Sequence, residues 1–203
     1  MTGTIKLADA LNNQANTTKT IKAAGSTPVE YINTVWDDLR FPVAGINPPG
    51  AATDPSRNTT TGLLEFSASQ INTIAIQVQM PHPWALGTSI IPHIHLIYPD
   101  SNAGNSVWRL SYDIAKINAN FAGSFTTDTK TFASPAAANR HALHAFGAID
   151  MTTHNGLSVM IIMLLERLGN DGADTYAAAL PLLEFDIHYE IDTAGSAEQT
   201  SKT

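Results

Sequence analysis

Apolar and polar residues alternate with a period of two in several separate segments of this 203-residue chain. In N-T-I-A-I-Q-V-Q-M, Ile74, Ile76, Val78 and Met80 fall on one side and Ala75, Gln77 and Gln79 on the other. That alternation predicts a half-buried strand. The same period sets Trp108, Leu110, Tyr112 and Ile114 against Arg109, Ser111 and Asp113, and Leu183, Phe185, Ile187, Tyr189 and Ile191 against Glu184, Asp186, His188, Glu190 and Asp192. In I-I-P-H-I-H-L-I-Y it places Ile90, Pro92, Ile94, Leu96 and Tyr98 opposite Ile91, His93, His95 and Ile97. The stretch from Leu157 to Leu165 is apolar on both sides and lies between Gly156 and a Gly-Asn-Asp-Gly turn, which predicts a central, covered strand. Alanine clusters near residues 134–146 and 175–181 allow one or two short helices. The segment from Val35 to Gly62 contains Pro42, Pro48, Pro49 and Pro55 and reads as an irregular loop. In it Trp36, Leu39 and Phe41 are expected to pin the loop to the core, with Trp36-Asp37-Asp38 as a capped turn. Together these elements predict an all-β fold: a single jelly-roll-like β-sandwich over residues 36–196, an extended N-terminal arm over 1–35 and a polar tail over 197–203.

Composition narrows the function classes. Hydrophobic residues make up 43%, enough for a core, but charged residues only 14%, well below the usual quarter. Polarity comes from Asn, Thr, Ser and Gln, which suits faces covered by partners. The net charge of -7 and the scatter of the cationic residues exclude a nucleic-acid surface. The absence of cysteine excludes a thiol nucleophile, a disulfide framework and a cysteine zinc site. The N-terminus has no apolar core of a secretory signal, and Leu157–Leu165 is too short to cross a bilayer as a helix, so a soluble protein without a membrane partner is expected. Residues 1–35 carry isolated aliphatics, Ile5, Leu7, Leu11 and Ile21, with neither a helical stripe nor strand alternation. These four are the candidate partner-binding residues.

Candidate chemistry centres on His93 and His95, which share one strand face and could grip a cation. Gly87, His93 and His95 match the spacing of the first cupin motif, but Asp100 stands where its Glu belongs and the second motif is absent. Two ligands without a third make no catalytic site. The pair is therefore read as a polar face hydrogen-bonded to a neighbouring strand or subunit. His188 among Glu184, Asp186 and Glu190 reads as a solvated strand face or subunit seam. His141 and His144, three apart, suit one helix face. No Walker A, H-E-x-x-H, G-x-S-x-G or G-x-G-x-x-G motif occurs. No catalytic residue, metal ligand or cofactor is assigned.

Three stretches together, W-D-D-L-R-F-P from Trp36, P-H-P-W-A-L-G-T-S-I-I-P-H-I-H-L from Pro81 and L-L-E-F-D-I-H-Y-E-I-D from Leu182, resemble a family of small virion structural proteins of tailed bacteriophages. The resemblance spans residues 35–196. It implies a structural, non-enzymatic role on the virion, as capsid decoration or cement or as a head or tail fibre. Oligomerisation, with a homotrimer expected, and docking on other virion proteins would carry that role. The alternative is a cupin-like metal-dependent enzyme or carbohydrate-binding module using His93 and His95.

The arm yields a first test. Ordering it costs roughly 1–2 kcal/mol per residue, and each aliphatic returns only roughly 1.5–3 kcal/mol on burial, so the arm needs a partner's surface. Deleting residues 1–30 is expected to leave the strand-rich circular dichroism intact and lower incorporation into particles. Wild-type incorporation by the truncated protein would show that the arm is only a tail.

Overall fold

The computed structural model describes residues 30–196, 198–199 and 201–202. Ten strands follow one another: β1 (Glu30–Pro42), β2 (Ser56–Arg57), β3 (Leu64–Phe66), β4 (Ile71–Gln79), β5 (Ile91–Tyr98), β6 (Asn105–Ala115), β7 (Thr126–Ala133), β8 (Arg140–Ala145), β9 (Met160–Leu168) and β10 (Leu180–Thr193). Helix among the described residues is limited to two 3-10 turns, Val43–Gly45 and Thr152–His154. One sheet runs β2-β3-β10-β5-β8, with β1 also on β10, and the other runs β4-β9-β6-β7. The antiparallel pairs β6–β7, β5–β8, β4–β9 and β3–β10 nest about the β6–β7 turn and alternate between the two sheets. This is the wiring of an eight-stranded jelly roll.

Inward positions of both sheets form one core. Ile74, Val78, Trp108, Leu110, Ile161, Met163 and Leu165 face Leu64, Phe66, Ile94, Leu96, Tyr98, Phe185 and Ile187, all essentially buried. Strand β9 lies between β4 and β6, which explains its unbroken apolar run: Ile161, Met163 and Leu165 fill the core while Ile162 and Leu164 stay partly covered on the outer side.

Three expectations are corrected. Residues 30–42, read as arm and irregular loop, form β1, with Val35 to Pro42 laddered on β10. Proline sits only at the last residue of this strand, Pro42, and the ladder lies on an edge, where proline is tolerated. Leu39 and Phe41 pack on the core as expected, but Trp36 is 56% exposed and anchors nothing there. The alanine clusters form no helix. Arg140–Ala145 is β8, because Ala142 and His144 face inward while His141 and Leu143 face outward, and pairing with β5 overrides alanine's helix preference. The alternation in β10 also breaks. Its register against β5 shifts between Leu182 and Glu184, so Leu183 is an inserted bulge residue. Leu180 and Leu182 are fully buried, and Phe185 and Ile187 resume the core after the bulge.

The end of β9 and the loop that follows it form a buried ion pair. Arg167 and Asp174 have side chains fully removed from solvent, with Arg167 Nη2 donating to Asp174 Oδ1 at 2.8 Å and Nε to Oδ2 at 3.0 Å. Arg167 also donates to the carbonyls of Phe66, Ala178 and Tyr176. Every donor of the fork is directed at an acceptor, which makes burial of the charge tolerable. Asp174→Ala strands that charge. It is expected to cost about 3–5 kcal/mol in urea unfolding, and a loss under about 1 kcal/mol, the range of surface pairs, would show that the pair does not organise this corner.

Candidate functional site

Strands β1, β10, β5 and β8 lie side by side, and their outward residues line up in rows. One row holds Asp38, His188 and Ile91, the next Arg40, Asp186, His93 and Ala145, and the third Pro42, Glu184, His95 and Leu143. The bulge at Leu183 sets the parity: one residue fewer in β10 would turn Asp186 and His188 toward the core.

Side chains link these rows into a chain of contacts. Asp38 Oδ1 meets His188 Nε2 at 2.7 Å. The His188 and His93 rings lie edge to face at 4.0 Å. His93 Nδ1 is 3.6 Å from Asp186 Oδ1, and Asp186 Oδ2 accepts from His95 Nε2 at 3.3 Å. His95 Nδ1 and His141 Nε2 share a hydrogen bond of 2.8 Å between stacked rings, so one ring donates and the other accepts. Burial deepens toward the middle: side-chain exposure is 48% at Asp38, 34% at His188, 7% at His93 and 6% at Asp186. Burial pushes the Asp186 carboxyl up, but its contacts with His93 and His95 outweigh that and leave it below the ordinary carboxylate value. His93 Nδ1 and Asp186 Oδ1 are nevertheless buried without a hydrogen-bond partner among the described residues. His93, Asp186 and His188 offer ligand atoms that all lie within 4.8 Å of one another. Among the described residues this is the group able to hold a cation.

The histidine pair shares one outward face, where His95 is hydrogen-bonded to β10 and β8 while His93 Nδ1 is without a hydrogen bond among the described residues. The third ligand that the H-x-H pair lacked in sequence stands on β10, while His95 itself lies outside the three-residue group. His141 and His144, expected on one helix face, lie on opposite faces of β8. His144 points inward, where its ring stacks on Phe132 at 4.4 Å and its Nε2 meets the Tyr98 hydroxyl at 3.0 Å. Ile5, Leu7, Leu11 and Ile21 lie outside the described residues.

The stretches quoted above fold onto one another. Strand β1 pairs with β10 residue by residue: the Tyr189 hydroxyl donates to Asp37 Oδ2 at 3.0 Å, Asp38 meets His188, and Arg40 forms a two-pronged bond to Glu184 with both contacts at 2.7 Å. Burial first, then the Asp37 carboxylate, raises the Tyr189 phenol well above its ordinary value. The loop before β5 is locked by Trp84, fully buried, whose indole donates to Thr88 Oγ1 at 3.1 Å. Gly87 supplies the left-handed turn there, with φ of 82°. Ala85 N–H donates to the Glu190 carbonyl of β10 at 2.7 Å. Lys202 of the C-terminal segment closes the same loop through the Pro83 and Trp84 carbonyls and Asp192. Sequence reading missed the union of β5 with β10. Its signal was the matching period-two pattern H-x-H and D-x-H, but nothing local sets which strands pair.

A shallow cleft of about 220 Å³ lies elsewhere, on the other sheet, lined by Tyr112, Asp113, Ile114 and His154 among others. Asp113 there accepts the backbone N–H groups of Ala122 and Gly123, so its carboxylate is spent on holding a loop.

No protein-family model and no curated protein matches this chain. Among solved structures it is similar to CBM35 from Cellvibrio japonicus Abf62, with a TM-score of 0.42, 14% identity, and 74% of this chain and 92% of that one covered. It is also similar to dimeric latent PorU from Porphyromonas gingivalis, at TM-score 0.38 and 11% identity over 83% of this chain. Infectious bursal disease virus, Gx strain, gives a TM-score of 0.36 and 9% identity over 91% of this chain. The chain spans 14% of the PorU chain and 36% of the viral one. Likeness at this level carries no argument about activity or partner.

His144 generates a pH prediction. Burial lowers its pKa from 6.5 to about 4. The unfolded chain therefore takes up a proton at a pH where the folded state still refuses it. Stability is full above about pH 6.5 and falls as pH drops toward about 4, with a slope of at most about 1.4 kcal/mol per pH unit from this group. His144→Phe, which keeps an aromatic ring against Phe132, is expected to flatten the fall in melting temperature across that window. An unchanged profile would show that His144 is not the group responsible.

Proposed function

We propose that the chain is a non-enzymatic structural protein of a bacteriophage virion, of the capsid decoration or fibre type, whose outer β1–β10–β5 face docks on other virion proteins. One observation supports this most. The three stretches that resemble phage virion proteins lie far apart in sequence yet form adjacent strands and the loop that locks them. The likeness is thus concentrated in one surface. Strand β1 offers that surface an edge: Val35 to Pro42 is hydrogen-bonded on one side to β10, and no other described strand pairs with it, with Trp36 standing 56% exposed on it. A long edge with an exposed aromatic is the kind of feature a second chain covers. Low charge and neutral polar residues fit a protein seated in an assembly. Homotrimerisation, and a virion location after assembly in the host cytoplasm, belong to the same reading.

The cupin-like alternative has less support. Substrate chemistry calls for an enclosed pocket with converging polar groups. His93 and His95 instead project from the outer sheet face, where His95 bonds to Asp186 of β10 and His141 of β8.

The test uses particles made from a genome that encodes this chain. The protein is expected to copurify with them in stoichiometric amounts, and light scattering of the free protein is expected to give three chains. Trp36→Asp should leave the melting temperature unchanged and lower incorporation roughly thirtyfold, the effect of losing about 2 kcal/mol at an aromatic anchor. Absence from particles would sink the virion reading, and undiminished incorporation of Trp36→Asp would sink this docking face.

A further inference from the structure

We propose that His93, Asp186 and His188 bind one divalent transition-metal ion of the zinc type on the outer face of the sheet, with water in the fourth position. The inference stands apart from the virion reading. It rests first on two orphaned atoms. His93 Nδ1 and Asp186 Oδ1 are buried, lack a hydrogen-bond partner among the described residues and face each other across 3.6 Å. Folded proteins rarely leave buried polar atoms in that state. Around a tetrahedral zinc, bonds of about 2.0–2.1 Å place ligand atoms roughly 3.3 Å apart, so this pair needs only a few tenths of an ångström of adjustment, and the third ligand, within 4.8 Å of both, closes the rest by side-chain rotation.

The third ligand is already presented. The His188 Nε2 atom is engaged by Asp38 Oδ1 at 2.7 Å, so in the proposed site Nδ1 is the atom that would ligate, and the His188 ring centroid lies 4.0 Å from that of His93. A second layer orients the first. Asp38 holds the far nitrogen of His188, and His95, itself bonded to His141, holds the second oxygen of Asp186. Carboxylates and imidazoles behind the ligands fix ring orientation and ligand basicity in metal sites. Two imidazoles and one carboxylate, with no thiolate, suit zinc, cobalt or nickel over calcium or magnesium, which require more oxygen ligands. Partial exposure of His188 opens the fourth position to water, and the ion ties β5 to β10.

The test strips purified full-length protein with chelator, then titrates Zn2+ by calorimetry and Co2+ by visible absorption. One equivalent per chain is expected, with the intense bands of four-coordinate Co2+ and a rise in melting temperature on Zn2+ addition. His188→Ala, at a partly exposed position, and Asp186→Asn, of unchanged shape, are expected to abolish the stoichiometric site. Asp38→Ala should weaken it roughly 10–100-fold, and His154→Ala, outside the cluster, should leave it unchanged. Substoichiometric uptake by the wild type, or a full equivalent retained by His188→Ala, overturns the proposal.

Discussion

Strand β10 is paired along both edges, with β5 on one side and β3 followed by β1 on the other. Every other feature of the molecule depends on that arrangement and on the bulge at Leu183 within it. An extended strand alternates strictly, so its buried set cannot change without an inserted residue. The chain enters β10 with Leu180 and Leu182 in the core beneath β3. After the bulge, Phe185 and Ile187 occupy the core and Asp186 and His188 stand outside. One extra residue thereby serves two ends: it keeps both halves of a long strand apolar inward, and it delivers the carboxylate and imidazole to the side where His93 waits.

The buried polar groups fall into two kinds. Arg167 reaches Asp174 and three carbonyls, so its charge is buried with complete compensation. The histidine cluster is different. Its periphery is satisfied, Asp38 by His188 and His95 by His141, while at its centre Nδ1 of His93 and Oδ1 of Asp186 face each other at 3.6 Å with no hydrogen-bond partner among the described residues. A charged network inside the sheet and an incompletely satisfied one on its surface are physically distinct: the first holds the fold, and the second has ligand atoms to offer.

The virion reading and the metal reading share a surface without requiring each other. Asp38, Arg40 and Trp36 all point outward from β1, the first toward His188, the second onto Glu184 and the third into solvent. An ion at His93, Asp186 and His188 would stiffen the β5–β10 seam, and a partner at Trp36 would cover the edge beside it. Rigid presentation of an aromatic anchor lowers the ordering cost of docking.

Local alternation was enough to predict the strands β4, β5 and β6, because each keeps a period of two against a single core. It was enough for the all-β class, and turn residues around Leu157–Leu165 were enough to make that run a central strand. The same reasoning failed where a partner strand, not the residue itself, decides. Val35 to Pro42 looked like a proline-rich loop until β10 supplied its ladder, and the alanines of β8 looked helical until β5 paired with them. The candidate site failed to show for the same reason. Each half, H-x-H and D-x-H, was visible on its own strand, as was the acidic pair Asp37-Asp38. The sequence by itself determined which residues could point outward together within one strand. Only the tertiary structure decided which strands adjoin and in what register, because hydrogen bonds between strands connect any two extended segments alike, and the choice among them rests on the packing of the whole core.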